Sequence, residues 1–227
     1  MQIITTADGS HTLYSEQFNE IYHSRHGAIQ ESKHVFIEAG LNAVLRSGEV
    51  FSNENPVYIF ETGFGTGLNA LLTMLEAEKQ NFKVNYTSIE LYPIPIETIK
   101  ELNYTDILGY QYCYGPYHSL HLVRWNEVHP VTPHFSFKKI QDSLLQYQLP
   151  SETYHLIYFD AFAPEHQPEM WTAEVFTKVY KALKPGGLLV TYCSKSVVQK
   201  AMKEAGFSIE KLPGPPGKRE MIRAHKR

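Results

Sequence analysis

Cysteine is scarce in this chain. The two present, Cys113 and Cys193, stand far apart and belong to no metal or redox spacing. Both read as ordinary packed thiols, so no cysteine-built metal centre is expected. No apolar run approaches membrane-spanning length, and the N-terminus lacks the pattern of a secretory signal. Low-complexity tracts, internal repeats and an interdomain linker are missing too. Nor is either sign of charge in clear excess: 21 Lys and Arg stand against 24 Asp and Glu, a formal net charge of −3. That balance argues against an extensive nucleic-acid footprint. What is present is a chain of 227 residues, 43% of them apolar, long enough for one domain or one domain with additions. A cytoplasmic location is expected, with no membrane association and no obligate protein partner.

The most informative stretch runs from Val57 to Ala70. Val57-Tyr58-Ile59-Phe60 is a short apolar run, the pattern of a strand buried on both faces. Gly63, Gly65 and Gly67 follow at every second position, and Leu68, Leu71, Leu72 and Leu75 then recur at helical spacing. Strand, glycine turn and helix in that order make a nucleotide-binding βα unit, in which a ligand approaches bare backbone and the helix N-terminus offers free N–H groups. The spacing is G-x-G-x-G, unlike the G-x-G-x-x-G of dinucleotide enzymes. Glu61 at the strand end would repel a pyrophosphate but suits a cation. S-adenosylmethionine, with a sulfonium and no phosphate, therefore fits better than NAD. A second strand, Val84 to Glu90, places Glu90 where a carboxylate accepts hydrogen bonds from ribose hydroxyls.

The remaining elements follow from periodicity and breakers. Ile3–Thr6 and His11–Tyr14 flank an Asp-Gly turn and predict a hairpin added to the main sheet. Ser32 is placed to cap a helix with Val35, Phe36, Ala39, Val44 and Leu45 on its apolar face. A helix-like run follows Pro93 and Pro95, and the tyrosines from Tyr104 to Tyr117 read as core packing more readily than as a base-stacking platform. Phe135–Ile140 alternates as a strand ending in Gln141-Asp142-Ser143. Asp142 or Ser143 is placed to receive an adenine amino group, and Asp142 to cap a helix from Leu144 to Tyr147 as well. His155–Phe159 is a further buried strand that delivers Asp160 to its end, where α/β sheets place their chemistry. A helix opens at Met170-Trp171, Lys184–Gly187 stops it, Leu188–Tyr192 is the fifth strand, and 196–204 is helical. Residues 205–212 and 219–224 close the chain as a hairpin around the stiff Pro213–Gly217 turn. The end is basic: Lys211, Lys218, Arg219, Arg223, Lys226 and Arg227 stand against the single acid Glu220. A solvated surface is the plain reading of such a run, a phosphate-binding face the sharper one.

Alternating strands and helices with a final hairpin resemble a class I S-adenosylmethionine-dependent methyltransferase, an α/β fold whose last two strands turn antiparallel. Nine short motifs occur in order: Tyr22-x-Ser24 with Gly27-x-x-Gln30-Glu31-Ser32, Gly63-Phe64-Gly65-Thr66-Gly67-Leu68-Asn69, Glu90-x-x-Pro93, Asp160-x-Phe162-Ala163-Pro164, Pro168-x-Met170-Trp171, Pro185-Gly186-Gly187, Ala205-Gly206-Phe207 and Gly217-Lys218-Arg219-Glu220-Met221. Together they resemble the methyltransferase part of the bifunctional bacterial enzymes that complete 5-methylaminomethyl-(2-thio)uridine at the tRNA wobble position. The likeness spans Tyr22 to Met221 and is loose over the N-terminal hairpin and residues 100–133. It implies one methyltransferase domain, with residues 1–31 an extension and 32–227 the core.

What the resemblance implies for the site is specific. Asp160 is the catalytic group. Gln30, Glu31, Glu61, Gly63, Gly65, Gly67, Asn69, Glu90, Leu91, Asp142 and Ser143 hold S-adenosylmethionine. Phe162, Pro164 and Trp171 meet the base, with Phe162 stacking on the uracil, and Lys218 and Arg219 meet phosphates of the anticodon stem-loop. No metal is implied. The bifunctional enzymes carry an FAD-dependent oxidase domain after the methyltransferase; this sequence has no second glycine fingerprint. The expectation is a monofunctional enzyme without FAD that takes 5-aminomethyluridine made elsewhere. Asp160 would orient the acceptor amine and take its proton. Rival readings are a small-molecule amine methyltransferase, an aminopropyltransferase on a related fold, and a fold that only binds RNA or a partner.

Overall fold

The computed structural model describes residues 1–227. Strands β1 (Gln2–Thr5) and β2 (His11–Ser15) pair antiparallel as expected, and a short β3 (Glu20–Ile21) joins β2. They form a separate three-stranded sheet; the expected addition to the main sheet does not occur. The hairpin turn serves a helix instead. Backbone N–H groups of Ala28, Ile29 and Gln30 donate to Thr6 Oγ1, Ser10 Oγ and Asp8 Oδ2 at 3.3, 3.3 and 3.0 Å. Those are the N–H groups that a helix start leaves without partners.

Because the turn caps it, the helix begins at α1 (Ala28–Ser32), upstream of the position expected. Ser32 is therefore not its cap; its buried hydroxyl has no partner. The helix continues as a π-helix over Lys33–Leu41 and ends in α2 (Asn42–Leu45). It crosses the sheet closely at Gly40, where a Cβ would lie 3.0 Å from Val190 and 3.3 Å from the Tyr158 ring.

The main sheet contains β4 (Val57–Thr62), β5 (Val84–Glu90), β6 (Val128–Thr132), β7 (Phe135–Gln141), β8 (Tyr154–Phe159), β9 (Leu183–Thr191), β10 (Ser208–Pro213) and β11 (Glu220–His225). Its order is β10-β11-β9-β8-β4-β5-β7-β6. Helices α3 (Leu68–Gln80), α4 (Ile96–Lys100), α5 (Tyr104–Ile107), α6 (Tyr114–Leu122), α7 (Ala173–Ala182) and α8 (Ser196–Glu204) complete the chain. Strand side chains alternate between faces. Ile59, Tyr86, Phe137 and Tyr158 enter one core with Phe36 and Leu71, while Phe60, Ile89 and Phe159 enter the other with Phe176 and Met202. No helix is long and apolar enough to cross a membrane.

Four details depart from the sequence reading. At the C-terminal end only β11 runs against the parallel strands: it pairs antiparallel with β9 on one side and β10 on the other, so β10 is parallel to the set; at the opposite edge β6 is antiparallel to β7. Leu144–Tyr147 is a turn rather than a helix. Its carbonyls at Leu144 and Leu145 accept from Lys178 Nζ at 2.7 Å each instead of continuing a ladder. The Lys184–Gly187 stretch lies inside β9 as a bulge, since Tyr154 pairs with Leu183 and Leu156 with Leu188. Met170 and Trp171 belong to a 3₁₀ turn, Pro168–Trp171, and α7 starts after it, capped by Thr172. Pro130 is accommodated because β6 is an edge strand. Tyr104 and Tyr117 are buried in the core, as the packing reading holds, whereas Tyr112 and Tyr114 of the same stretch are exposed.

Candidate active site

The carboxyl ends of β4, β5, β7 and β8 open into a cavity of about 900 Å³. The glycine turn forms one wall. Gly63 has φ +84°, and a Cβ there would sit 2.8 Å from the Asp160 carbonyl oxygen. At Gly65 a Cβ would meet the Tyr22 ring at 3.0 Å. Both positions line the cavity, and neither has room for a side chain. Gly67 serves a different purpose: a Cβ there would lie 2.8 Å from His121 Nε2, so this glycine admits α6 against the turn and does not line the cavity.

Asp160 follows the last residue of β8 and faces the cavity. Its Oδ2 accepts from Asn69 Nδ2 at 2.8 Å, which ties the first turn of α3 to the neighbouring strand end. Burial is the largest influence on its carboxyl and pushes it up to about 7. The Glu31 charge adds to the rise, whereas the Asn69 hydrogen bond and the Lys218 charge oppose it.

Glu90 accepts from Gly65 N at 3.0 Å and Tyr92 N at 2.8 Å, so it braces the glycine turn as well as facing the cavity. Burial raises its carboxyl despite these N–H groups. Leu91, Asp142 and Ser143 line the same side, with Asp142 Oδ1 accepting from Ser143 N at 2.7 Å. On the opposite side Lys218 Nζ lies 2.6 Å from Glu31 Oε1, and Ser24 N donates to Glu31 Oε2 at 2.7 Å. Lys218 also stands 3.8 Å from the centre of the Tyr192 ring. Tyr192 in turn donates its hydroxyl to the Ala161 carbonyl at 2.8 Å.

Several expected site residues lie elsewhere. Glu61 has no exposed surface; its side chain is directed into the protein, where Ser88 Oγ donates to its Oε2 at 2.8 Å, and it does not line the cavity. Gln30 is exposed and outside the cavity, because its position on α1 points away from the sheet end. Trp171 is buried, and its Nε1 donates to the Phe162 carbonyl at 2.8 Å, so it supports the loop after β8 rather than lining it. Phe162 and Pro164 do line the cavity. One face of Phe162, however, is stacked on Phe18 at 4.4 Å between centroids, and Tyr22 meets its edge at 4.9 Å. That face is covered and does not offer itself to a base.

Lys218 and Arg219 also separate. Lys218 is held inside by Glu31 and Tyr192 and is no free phosphate contact, while Arg219 is exposed at the cavity rim. Three of the six cations of the basic end find acids outside the run, Lys218 among them, and Lys211 takes the run's own Glu220. Arg223 pairs with Glu210 at 2.8 Å, Lys211 with Glu220 at 3.0 Å and Lys226 with Glu152 at 3.3 Å. The sequence reading missed Phe18, Tyr22, Tyr92 and Tyr192 as lining residues. Only the Tyr22-x-Ser24 motif pointed to this region, and nothing in local periodicity marks a strand-poor N-terminal segment as part of a wall.

A parallel sheet with β11 inserted antiparallel, a glycine turn after its central strand, and two acids at neighbouring strand ends define the class I S-adenosylmethionine-dependent methyltransferase fold. Residues 126–227 match the family described as S-adenosyl-L-methionine-dependent methyltransferase. Over 93% of its length it is 33% identical to the tRNA 5-methylaminomethyl-2-thiouridine biosynthesis bifunctional protein MnmC of Legionella pneumophila. The protein of the same name from Nitrosospira multiformis is 31% identical over 92% of the chain. The chain spans about a third of the length of these relatives, 35% and 34%. Among solved structures, MNMC2 from Aquifex aeolicus superposes with a TM-score of 0.73 at 24% identity, covering 98% of this chain and 69% of that one. A spermidine synthase from Thermotoga maritima shares the fold at a TM-score of 0.53 and 13% identity, with coverage of 96% and 69%.

Proposed function

We propose that this enzyme methylates the primary amine of 5-aminomethyl-(2-thio)uridine at the wobble position of tRNA, forming the 5-methylaminomethyl nucleoside. The observation that carries this reading is the Asp160 carboxylate, fixed by Asn69 at the mouth of β8 beside the bare backbone of the glycine turn. The names of the relatives supply the substrate class.

S-adenosyl-L-methionine fits the residues present. Gly63 and Gly65 line the cavity with backbone alone, and the buried Thr62 hydroxyl and Asn69 Oδ1, both on lining residues, have no protein partner. Gly63 and Gly65 would hold it by backbone, Glu90 by its ribose hydroxyls and Asp142 by its adenine amino group. When bound, it supplies an electrophilic methyl group on a sulfonium.

The chain's own residues then have a defined task. The acceptor amine must be neutral to react, although a free alkylamine has a pKa of roughly 10. Enclosure in a cavity walled by Phe18, Tyr22 and Phe162 disfavours its charged form. Asp160, with its carboxyl near 7, accepts a hydrogen bond from the amine, orients it, and takes the proton it sheds on methylation. Alignment contributes most of the rate, since no acid is needed at the leaving group.

The test uses the purified enzyme, S-adenosylmethionine, and tRNA carrying 5-aminomethyl-2-thiouridine. Mass analysis of the wobble nucleoside is expected to show the gain of one methyl group. Methylation of free small amines with none on the tRNA would replace this reading with the small-molecule one. Turnover of the decarboxylated cofactor in preference to S-adenosylmethionine would replace it with aminopropyl transfer.

A further inference from the structure

Glu61 lies between strand β4 and its neighbours with no exposed surface and no cation paired to it. Its Oε2 accepts from Ser88, and its Oε1 has no partner. The groups facing it are Tyr86 and Ser88 of β5, Tyr158 and Asp160 of β8, and the Asn69 amide of α3. The Tyr86 hydroxyl is likewise buried and unpartnered. Only Asp160 among these is an acid, so the two carboxyls flank a single amide, and Asn69 Nδ2 is already committed to Asp160 Oδ2.

A buried carboxylate without a cation is costly, and two like charges around one amide compound the cost. One proton therefore stays on the pair. Asp160 reaches the cavity, receives the 2.8 Å Asn69 hydrogen bond and feels the Lys218 ammonium; Glu61 has neither the cavity nor the ammonium. We propose that Glu61 is a positioning residue held as a neutral carboxylic acid, which leaves Asp160 the single negative charge on the Asn69 amide. Its role is then to keep the amide turned toward Asp160, and the catalytic consequence, though not the protonation itself, rests on the function proposed above.

The direction of both carboxyls agrees. Burial pushes Glu61 up to about 8, with the Asp160 charge contributing to the rise and Ser88 and Asn69 opposing it. The two carboxyls titrate as a coupled pair. Because the folded value lies above the unfolded one, the neutral acid's contribution to stability is complete at low pH. It is lost as pH rises through about 8.

Infrared spectra of the ligand-free protein give the direct test. The carbonyl stretch of an un-ionised carboxylic acid is expected at neutral pH, absent in Glu61→Gln and retained in Asp160→Asn. Melting curves add a second readout: the Tm of Glu61→Gln should gain on the wild type as pH rises from about 5 to about 9. In methyl transfer, Glu61→Ala is expected to lose roughly tenfold or more, and Glu61→Gln to recover most of it. A missing acid band in the wild type overturns the proposal, as does a band lost only in Asp160→Asn. So does a Tm difference that stays flat with pH, or a Gln variant as impaired as Ala. The first two readouts need no substrate, so a failure to methylate tRNA leaves them standing and indicts only the function.

Discussion

Asn69 and Asp160 are joined by a 2.8 Å hydrogen bond between residues that come from the first turn of one helix and the end of a non-adjacent strand in sequence. The bond ties the helix that follows the glycine turn to the acid at the end of β8, so in the proposed mechanism a shift of the turn also shifts the proton acceptor.

Removing that donor should shift the pH dependence in a defined direction. Asp160 acts when ionised, so the acid limb of kcat is expected near 7, its carboxyl being raised mainly by burial. Asn69→Ala deletes an influence that lowers this value, and the limb should move to higher pH. Turnover at neutral pH should fall by roughly tenfold to a hundredfold. A pH–rate profile at saturating cofactor reads this, and an unmoved limb removes Asn69 from the arrangement.

The glycine turn makes a steric prediction. Gly63→Ala would place its Cβ 2.8 Å from the Asp160 carbonyl in a left-handed backbone region. A stability loss of about 1–3 kcal/mol is expected, together with weakened S-adenosylmethionine binding. Thermal melts and calorimetry check both.

Salt dependence separates the two neighbouring cations of the C-terminal turn. Arg219, exposed at the rim, should contribute to tRNA affinity in a salt-dependent way, and Arg219→Ala should reduce the salt slope by about 1. Lys218→Ala should leave that slope unchanged, because its ammonium is paired with Glu31 inside the cavity. Filter binding over a potassium chloride series distinguishes them.

The stack of Phe18 on Phe162 is measurable by a double-mutant cycle. Replacing each by Ala, singly and together, should give a coupling energy of about 0.5–1.5 kcal/mol in denaturant unfolding. Zero coupling would show that the two rings do not support one another, and that Phe162 is free to meet a base.

Much of this arrangement was legible before any coordinates. Val57–Thr62 and Tyr154–Phe159 are apolar runs because their strands are buried on both faces, and Val84–Glu90 alternates because Asn85 and Thr87 lie on its less buried face; neither pattern needs a partner to be recognised. Asp160 and Glu90 stand at strand ends, which are fixed by where those runs stop. Other features depend on partners remote in sequence. The N-terminal turn caps α1 through Thr6, Asp8 and Ser10, a relationship that local periodicity cannot carry. The basic C-terminal run looked unbalanced only because Glu31, Glu152 and Glu210 lie outside it. Glu61 was misread for a related reason. It stands one residue short of the end of β4, where both faces of the strand are still interior, and Ser88 of the neighbouring strand takes its carboxyl. The Leu144–Tyr147 turn resembled a helix by spacing, yet Lys178 from a later helix takes its carbonyls.

The most direct measurement is single-turnover methyl transfer to 5-aminomethyl-2-thiouridine tRNA by Asp160→Asn, with cofactor affinity determined on the same preparation. Transfer is expected to slow by about a hundredfold or more, while S-adenosylmethionine binds within about threefold of the wild type. Near wild-type transfer, or equal losses in transfer and cofactor affinity, would contradict a proton acceptor at the end of β8.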